Sequence, residues 1–247
     1  MSYSAFARYY DTLMRDVDYG ARADYLLQTL ERFGHSPGVT LDIACGTGSL
    51  TLALAERGVY VFGLDSSPDM LCLAQSKAAQ AGRQLMFICQ KMQEMELCAP
   101  IDTAVCSLDG INHLTREKDV QETFRRIAAF LSTGGYFLFD ANTVYKHREV
   151  LADNAFVFDA GSVYCVWQNE YLSKDRRVGI TLDFFEREGN VYSRSTEHFY
   201  ERAYPIRRLV TMLQAAGLAP RAVWQDMEFE GPSGDAERIL IAAERTE

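Results

Sequence analysis

The stretch Val39–Thr51, VTLDIACGTGSLT, restricts the fold more than any other part of the chain. Val39, Leu41 and Ile43 form a short apolar run that reads as a buried parallel strand. The acid Asp42 sits near its end, and a turn of small residues, Ala44, Gly46 and Gly48, opens a helix near Ser49. A chain that passes from strand to helix through such a turn presents bare backbone N–H groups, and positions without a Cβ, to a ligand.

The ligand class follows from what the turn lacks. A dinucleotide loop carries glycines at its first, third and sixth positions, with helix N–H groups facing a pyrophosphate. Counted from Gly46, the sixth position is Thr51. Asp42 would repel a pyrophosphate but suits a ligand with positive charge. S-adenosylmethionine meets that description, with an amino group, a sulfonium and no phosphate.

Composition sets the wider limits. The chain has 247 residues, 48% of them hydrophobic and 12% aromatic, enough for a core in one large domain or a domain with an insertion. Its net charge of −9 weighs against a nucleic-acid partner, which calls for a clustered basic face. The doublets Arg125–Arg126 and Arg207–Arg208 read as solvated helix faces. The six cysteines, Cys45, Cys72, Cys89, Cys98, Cys106 and Cys165, form no CxxC and no metal-like pairing with histidine, so no metal site is expected. With no apolar span of membrane length and no signal peptide, the expectation is a reduced, cytoplasmic protein with no membrane partner.

Taken in order, the chain begins with two amphipathic helices. The first carries Phe6, Tyr9, Tyr10, Leu13 and Met14 on one face, and the second Tyr25, Leu26, Leu30 and Phe33. After the opening strand and helix, Val59–Asp65 is a second strand ending in an acid, placed as a βαβ unit places the carboxylate that takes a ribose hydroxyl pair. Ser66 or Ser67 caps the next helix, with Pro68 in its first turn. Strands follow at Leu85–Cys89, Ile101–Leu108 and Gly134–Asp140, with a helix over Thr115–Leu131. This alternation implies a doubly wound, Rossmann-like α/β sheet, with ligands outside the carboxyl ends of the strands, where Asp42, Asp65, Asp109 and Asp140 fall.

From about Ala155 the pattern changes to aromatic and β-branched residues with polar alternation, at Ala155–Ala160, Val163–Tyr171, Val178–Glu186 and Val191–Glu201. That predicts an inserted antiparallel meander. Helix returns at Pro205–Ala216, and Leu218–Gln225 with Arg238–Ala243 forms a hairpin that puts one antiparallel strand in the main sheet of seven. The expected division is a ligand-binding domain over 1–150 and 203–247, with 1–36 as a helical cap, and an inserted lid or dimer surface over 151–202.

These residues together resemble the class I S-adenosylmethionine-dependent methyltransferases. Within that class the chain resembles small bacterial members, of uncharacterised substrate, that open with a YxxFAxxYDxLM-like helix, here Tyr3, Phe6, Ala7, Tyr10, Asp11, Leu13 and Met14. LDIACGTGSLT matches the family's glycine loop and GLDSSPDML its ribose segment; SLDGINHL, FLSTGGYFLFD and EHFYERAYP match more weakly. The resemblance runs nearly end to end. It implies that Asp42, Ala44, Gly46 and Gly48 line the methionine end of the cofactor. Asp65 would hold the ribose, with Ser66 and Met70 beside the adenine. Ser107 would offer backbone beneath the cofactor, with Leu108 and Asp109 close by, and Tyr3 and Tyr10 would close the pocket. Two positions depart from the pattern. Ala44 replaces a glycine, and Lys91 stands where relatives carry an acid; a lysine has no acceptor for the adenine amino group, which leaves backbone around Gln90, Lys91 and Met92.

The resemblance implies in-line methyl transfer, in which alignment and exclusion of water matter most and a base is needed only for a protonated acceptor. The candidates for that base are Asp109, His113 and His198, with Glu197 behind the last. Cys106 as a nucleophile stands against its reading as a buried strand thiol. SLDG after the fourth strand, in place of an NPPY-like segment, and the acidic charge favour a small-molecule acceptor, with a homodimer left open. Other readings remain: a non-catalytic adenosylmethionine sensor, an RNA methyltransferase and a nicotinamide-dependent dehydrogenase.

Overall fold

A computed structural model describes residues 4–246 of the chain. Its centre is β1 (Val39–Ile43), which pairs in parallel with β2 (Tyr60–Asp65) on one side and β4 (Ile101–Cys106) on the other. Four of the five β1 residues are buried, because helices cover both faces; Thr40 and Asp42 are therefore buried although the strand alternates apolar and polar residues. Beyond β2 lies β3 (Phe87–Cys89), and beyond β4 lies β5 (Leu131–Asn142). A hairpin of β10 (Leu218–Gln225) and β11 (Arg238–Arg245) completes seven strands in the order β10-β11-β5-β4-β1-β2-β3. Strand β11 runs antiparallel to both its neighbours and is the single reversed strand the sequence predicts.

Two elements differ in extent from expectation. The third strand keeps only Phe87–Cys89 of the run Leu85–Cys89. It is an edge strand, and Met86 stands 56% exposed. The fifth strand is longer than expected, since Leu131 already pairs with Ile101.

The helices are α1 (Ser4–Leu13), α2 (Tyr19–Arg32), α3 (Ser49–Glu56), α4 (Pro68–Gln80), α5 (Glu117–Phe130) and α6 (Ile206–Ala215). The sheet's alternating side chains build one core on each face. Phe137 and Phe139 of β5 point to the face covered by α5 and α6, where Phe124 joins them at ring separations of 5.9 and 5.4 Å. Tyr136 and Leu138 of the same strand point to the opposite face, against Leu26 of α2 and Leu50 and Leu54 of α3.

Between β5 and α6 a π-helical turn (Lys146–Leu151) leads into a second sheet. Its strands β6 (Ala155–Asp159), β7 (Val163–Leu172), β8 (Arg177–Glu188) and β9 (Val191–Arg202) pair consecutively as an antiparallel meander. Val178, Ile180, Leu182 and Phe184 form its buried face, and Phe6, Tyr9 and Leu13 of α1 pack onto that face. The two N-terminal helices therefore part company, α2 joining the main core and α1 the insert. All six cysteines are free thiols. Among the described residues no helix is long and apolar enough to cross a membrane.

Candidate active site

The glycine turn leaves β1 through left-handed backbone at Ala44, Gly46 and Gly48, with φ values of 56°, 54° and 75°. A Cβ on Gly48 would lie 2.9 Å from Ala74 Cβ and 3.2 Å from the Phe87 ring, so this glycine allows α4 and β3 to close against the turn. Gly46 faces the other way: a Cβ there meets nothing within 4 Å, because it would project into open cleft. The Asp65 carboxylate spans the turn, accepting from Gly46 N at 2.9 Å and from Ser67 N at 2.8 Å. Each oxygen keeps a second lone pair for a ligand hydroxyl. Ser67 rather than Ser66 caps α4, its hydroxyl accepting from Met70 N at 3.3 Å.

Asp42 is 1% exposed and accepts from Thr51 Oγ1 at 2.6 Å. Burial pushes its carboxyl up to about 7; the Thr51 hydrogen bond opposes that rise and the Asp65 charge adds to it. It is thus a group that changes charge near neutrality rather than a fixed anion.

The loop after β4 forms the adjoining wall. Leu108 and Asp109 both adopt positive φ, 57° and 61°, before a 3₁₀ turn at Gly110–His113. Fully buried Asp140, on β5, holds this loop. It accepts from Ser107 Oγ at 2.7 Å, Leu108 N at 2.6 Å and Asp109 N at 2.7 Å. Arg22 of α2 and Arg238 of β11 neutralise it, at 3.1 and 2.8 Å. Burial alone would raise the Asp140 carboxyl, but these two guanidiniums hold it below the usual range. Asp109 is treated alike. Its burial is outweighed by Arg238, 3.1 Å away, and by His113 and Lys146, which leaves it at about 2.

These walls enclose a cleft of about 850 Å³, its mouth included. Of the sequence-predicted cofactor residues, Asp42, Ala44, Gly46, Asp65, Ser66 and Met70 line it, as do Met92, Ser107, Leu108 and Tyr10. His113 lines its far end. Gly48, Gln90, Lys91, Asp109 and His198 are not among the lining residues, and Tyr3 lies outside the described residues. Gln90 instead accepts from Glu96 N at 2.9 Å, and Lys91 pairs with Glu94 at 3.1 Å in solvent. His198 hydrogen-bonds Thr181 Oγ1 at 2.9 Å on the exposed side of the insert. Cys106 is wholly buried, and burial pushes its thiol far up.

Helix α1 closes the cleft. Phe6 and Tyr10 meet edge-to-face at 5.3 Å, and half-buried Tyr10 has its hydroxyl pushed well up by burial. Tyr19, which also lines the cleft, is pushed up to about 12, chiefly by burial and then by the Asp11 charge. Asp11 ties α1 to the glycine turn, accepting from Thr47 Oγ1 at 2.6 Å and pairing with Lys77 of α4 at 2.7 Å. At its other end Phe6 N donates to Glu197 of β9 at 2.8 Å.

Sequence reasoning missed Arg22, Arg238, Glu201 and His147. Glu201 had a signal: period-2 alternation along EHFYER puts Glu197, Phe199 and Glu201 on one face of β9, opposite His198 and Tyr200. Phe199 stands 5.5 Å from the His113 ring.

A cleft at the carboxyl ends of β1, β2 and β4, with a carboxylate across a glycine turn, defines a Rossmann-like nucleoside site. The chain belongs to the class I S-adenosylmethionine-dependent methyltransferases, and its cofactor is S-adenosylmethionine. Residues 40–135 match the family model described as a methyltransferase domain. Over 247 residues the chain is 32% identical to a protein named as a methyltransferase from Geobacillus sp. (strain WCH70), covering 99% of this chain and 100% of the relative. It superposes on an S-adenosylmethionine-dependent methyltransferase from Clostridium acetobutylicum ATCC 824 with a TM-score of 0.88, 30% identity and 98% coverage of both chains. The sugar N-methyltransferase KedS8 from Streptoalloteichus sp. ATCC 53650 shares the fold at a TM-score of 0.79 and 19% identity, over 100% of this chain and 94% of that one.

Proposed function

We propose that the protein transfers a methyl group to a small-molecule acceptor whose reacting atom lies beside His113. The observation that carries this reading is the closure of the cleft by α1. Phe6 and Tyr10 cover it, and Asp11 holds the helix to the glycine turn, so the far end admits a small group more readily than a folded macromolecule. That a sugar N-methyltransferase shares the fold end to end is in keeping with a small acceptor.

When bound, S-adenosylmethionine supplies a methyl group on a sulfonium, a leaving group that needs no protonation. The chain's residues provide the rest. Asp65 would accept from the ribose hydroxyls, and Ser66, Met70 and Met92 would border the adenine. Asp42, Ala44 and Gly46 would hold the methionine end, with Ser107, Leu108 and Tyr10 lining the same cleft. Burial behind Phe6 and Tyr10 excludes water and restricts the acceptor to in-line approach. His113 is the base, since Asp109 is committed to Arg238 and His198 faces away.

The test is release of S-adenosylhomocysteine by the purified protein given S-adenosylmethionine with metabolite, protein or RNA fractions of a cell extract. Release with the metabolite fraction alone is expected. Release only with RNA or protein would overturn the reading, as would cofactor binding with no release in any fraction.

A further inference from the structure

Among the described residues that line the cleft the acids are Asp42 and Asp65, and none is a lysine or arginine. An anionic acceptor would enter against the Asp65 carboxylate with no lysine or arginine among those lining residues to meet it. The far end offers aromatic rings instead: Phe6 and Tyr10, with Phe199 behind His113. Such faces attract an ammonium group.

Behind His113 lies a carboxylate unlike the two already described. Glu201 is 4% exposed, and its oxygens stand 3.9 Å from His113 Nε2 and 3.4 Å from His147 Nε2. Its hydrogen bond from Asn142 Nδ2 is long, at 3.4 Å. His147 is wholly buried, and neither ring nitrogen has an aligned hydrogen-bond partner among the described residues. Asp109 and Asp140 are each gripped by arginine. Glu201 has no lysine or arginine within ion-pair distance among the described residues; Lys146 acts on it only at longer range. A buried carboxylate without a guanidinium remains available to balance a proton arriving on a neighbouring imidazole.

Resting on the proposed small-molecule reading, we infer that the acceptor's reacting atom is an amine nitrogen that arrives protonated, with Glu201 as the positioning residue that holds His113 to take its proton. An N–H bond of the ammonium breaks, the proton passes to His113 and the electron pair stays on nitrogen. That pair bonds the methyl carbon as the carbon–sulfur bond breaks, its electrons going to sulfur. The products are an N-methylated ammonium, S-adenosylhomocysteine and protonated His113, whose charge Glu201 faces. The other charged groups around His113 are Asp109 in its own loop with Arg238 of β11 behind it, and Lys146 and His147 of the π turn behind Glu201.

The experiment incubates the protein with a small-metabolite extract and S-adenosylmethionine carrying a labelled methyl group, then locates the label in the product. Label on nitrogen is expected. Label on oxygen, sulfur or carbon of a metabolite overturns this inference and leaves the small-molecule reading intact; no labelled metabolite overturns that reading itself. With the labelled acceptor in hand, Glu201→Gln is expected to lose about 100-fold in kcat near pH 7, with the KM for S-adenosylmethionine within twofold of wild type. The loss shrinks as pH rises, because the acceptor then enters as free amine, and Glu201→Asp regains at least a tenth of the rate. If Glu201→Gln melts early, His113→Gln carries the same pH test. A loss constant across the pH range would overturn the assignment.

Discussion

Asp140 Oδ2 lies 2.6 Å from the backbone nitrogen of Leu108, a residue held at a φ of 57°. A left-handed leucine is costly, about 1–2 kcal/mol, and stays only where its surroundings determine it. Here one buried carboxylate fixes consecutive N–H groups while two arginines from distant elements neutralise it. Asp140→Asn is therefore expected to destabilise the fold by about 3–5 kcal/mol, as Arg22 and Arg238 are left under-compensated. It should also weaken cofactor binding, since Ser107 and Leu108 of this loop line the cleft. Urea denaturation and titration calorimetry with S-adenosylhomocysteine measure the two effects; a variant equal to wild type in both would refute the role given to Asp140.

Asp42 links stability to pH with a sign opposite to the usual acid. Its carboxyl sits at about 7 in the fold against roughly 3.9 in an unfolded chain. The folded state thus binds the extra proton between those values. Its favourable contribution is complete below about pH 4 and is lost as pH rises through about 7, a change on the order of 4 kcal/mol. Asp42→Asn removes that drop. Comparing the two proteins at pH 5 and pH 8 separates Asp42 from Asp109 and Asp140, whose lowered values act in the opposite direction. Parallel stability curves for wild type and variant would show that Asp42 is not the source.

The legible parts of the site were those carried by neighbours in sequence. The turn from Asp42 to Thr47, the acid closing β2 and the capped start of α4 each announce themselves locally, and residues from all three line the cleft. Strand types were equally plain, because apolar runs and alternation differ visibly between the parallel sheet and the insert. What no spacing reveals is the charge network of Arg22, Asp109, Asp140 and Arg238. Its members come from α2, the β4 loop, β5 and β11, and only folding brings them together. His198 shows the remaining difficulty: a one-residue step along a strand reverses the face, so its chemistry alone could not say whether it meets the cleft.

Ala44 occupies a turn position at φ 56° that favours glycine. The β4 loop passes close to it through a glycine: a Cβ on Gly110 would lie only 3.0 Å from the Ala44 Cβ. Ala44→Gly relieves the left-handed strain and should stabilise the protein by about 1 kcal/mol, a few degrees in Tm for a chain of this size. Calorimetric melting checks the sign; a lower Tm would mean that Ala44 packing outweighs its backbone strain.

Asp11 and Lys77 form a contact of a different kind, placed to govern residence of the cofactor rather than stability. The pair is 2.7 Å apart, with side chains 47% and 25% exposed, so its net worth to the fold is under about 1 kcal/mol. Yet Asp11 also accepts from Thr47 Oγ1, and Lys77 donates to Thr47 and Ser49, so one small cluster fastens α1 over the glycine turn. Asp11→Ala is expected to leave Tm within about 2 °C of wild type. Release of S-adenosylhomocysteine should quicken by about tenfold, the change that 1.4 kcal/mol of lost closure produces. Stopped-flow displacement measures the rate directly. Unchanged release from Asp11→Ala would mean that Phe6 and Tyr10 close the cleft without this tie.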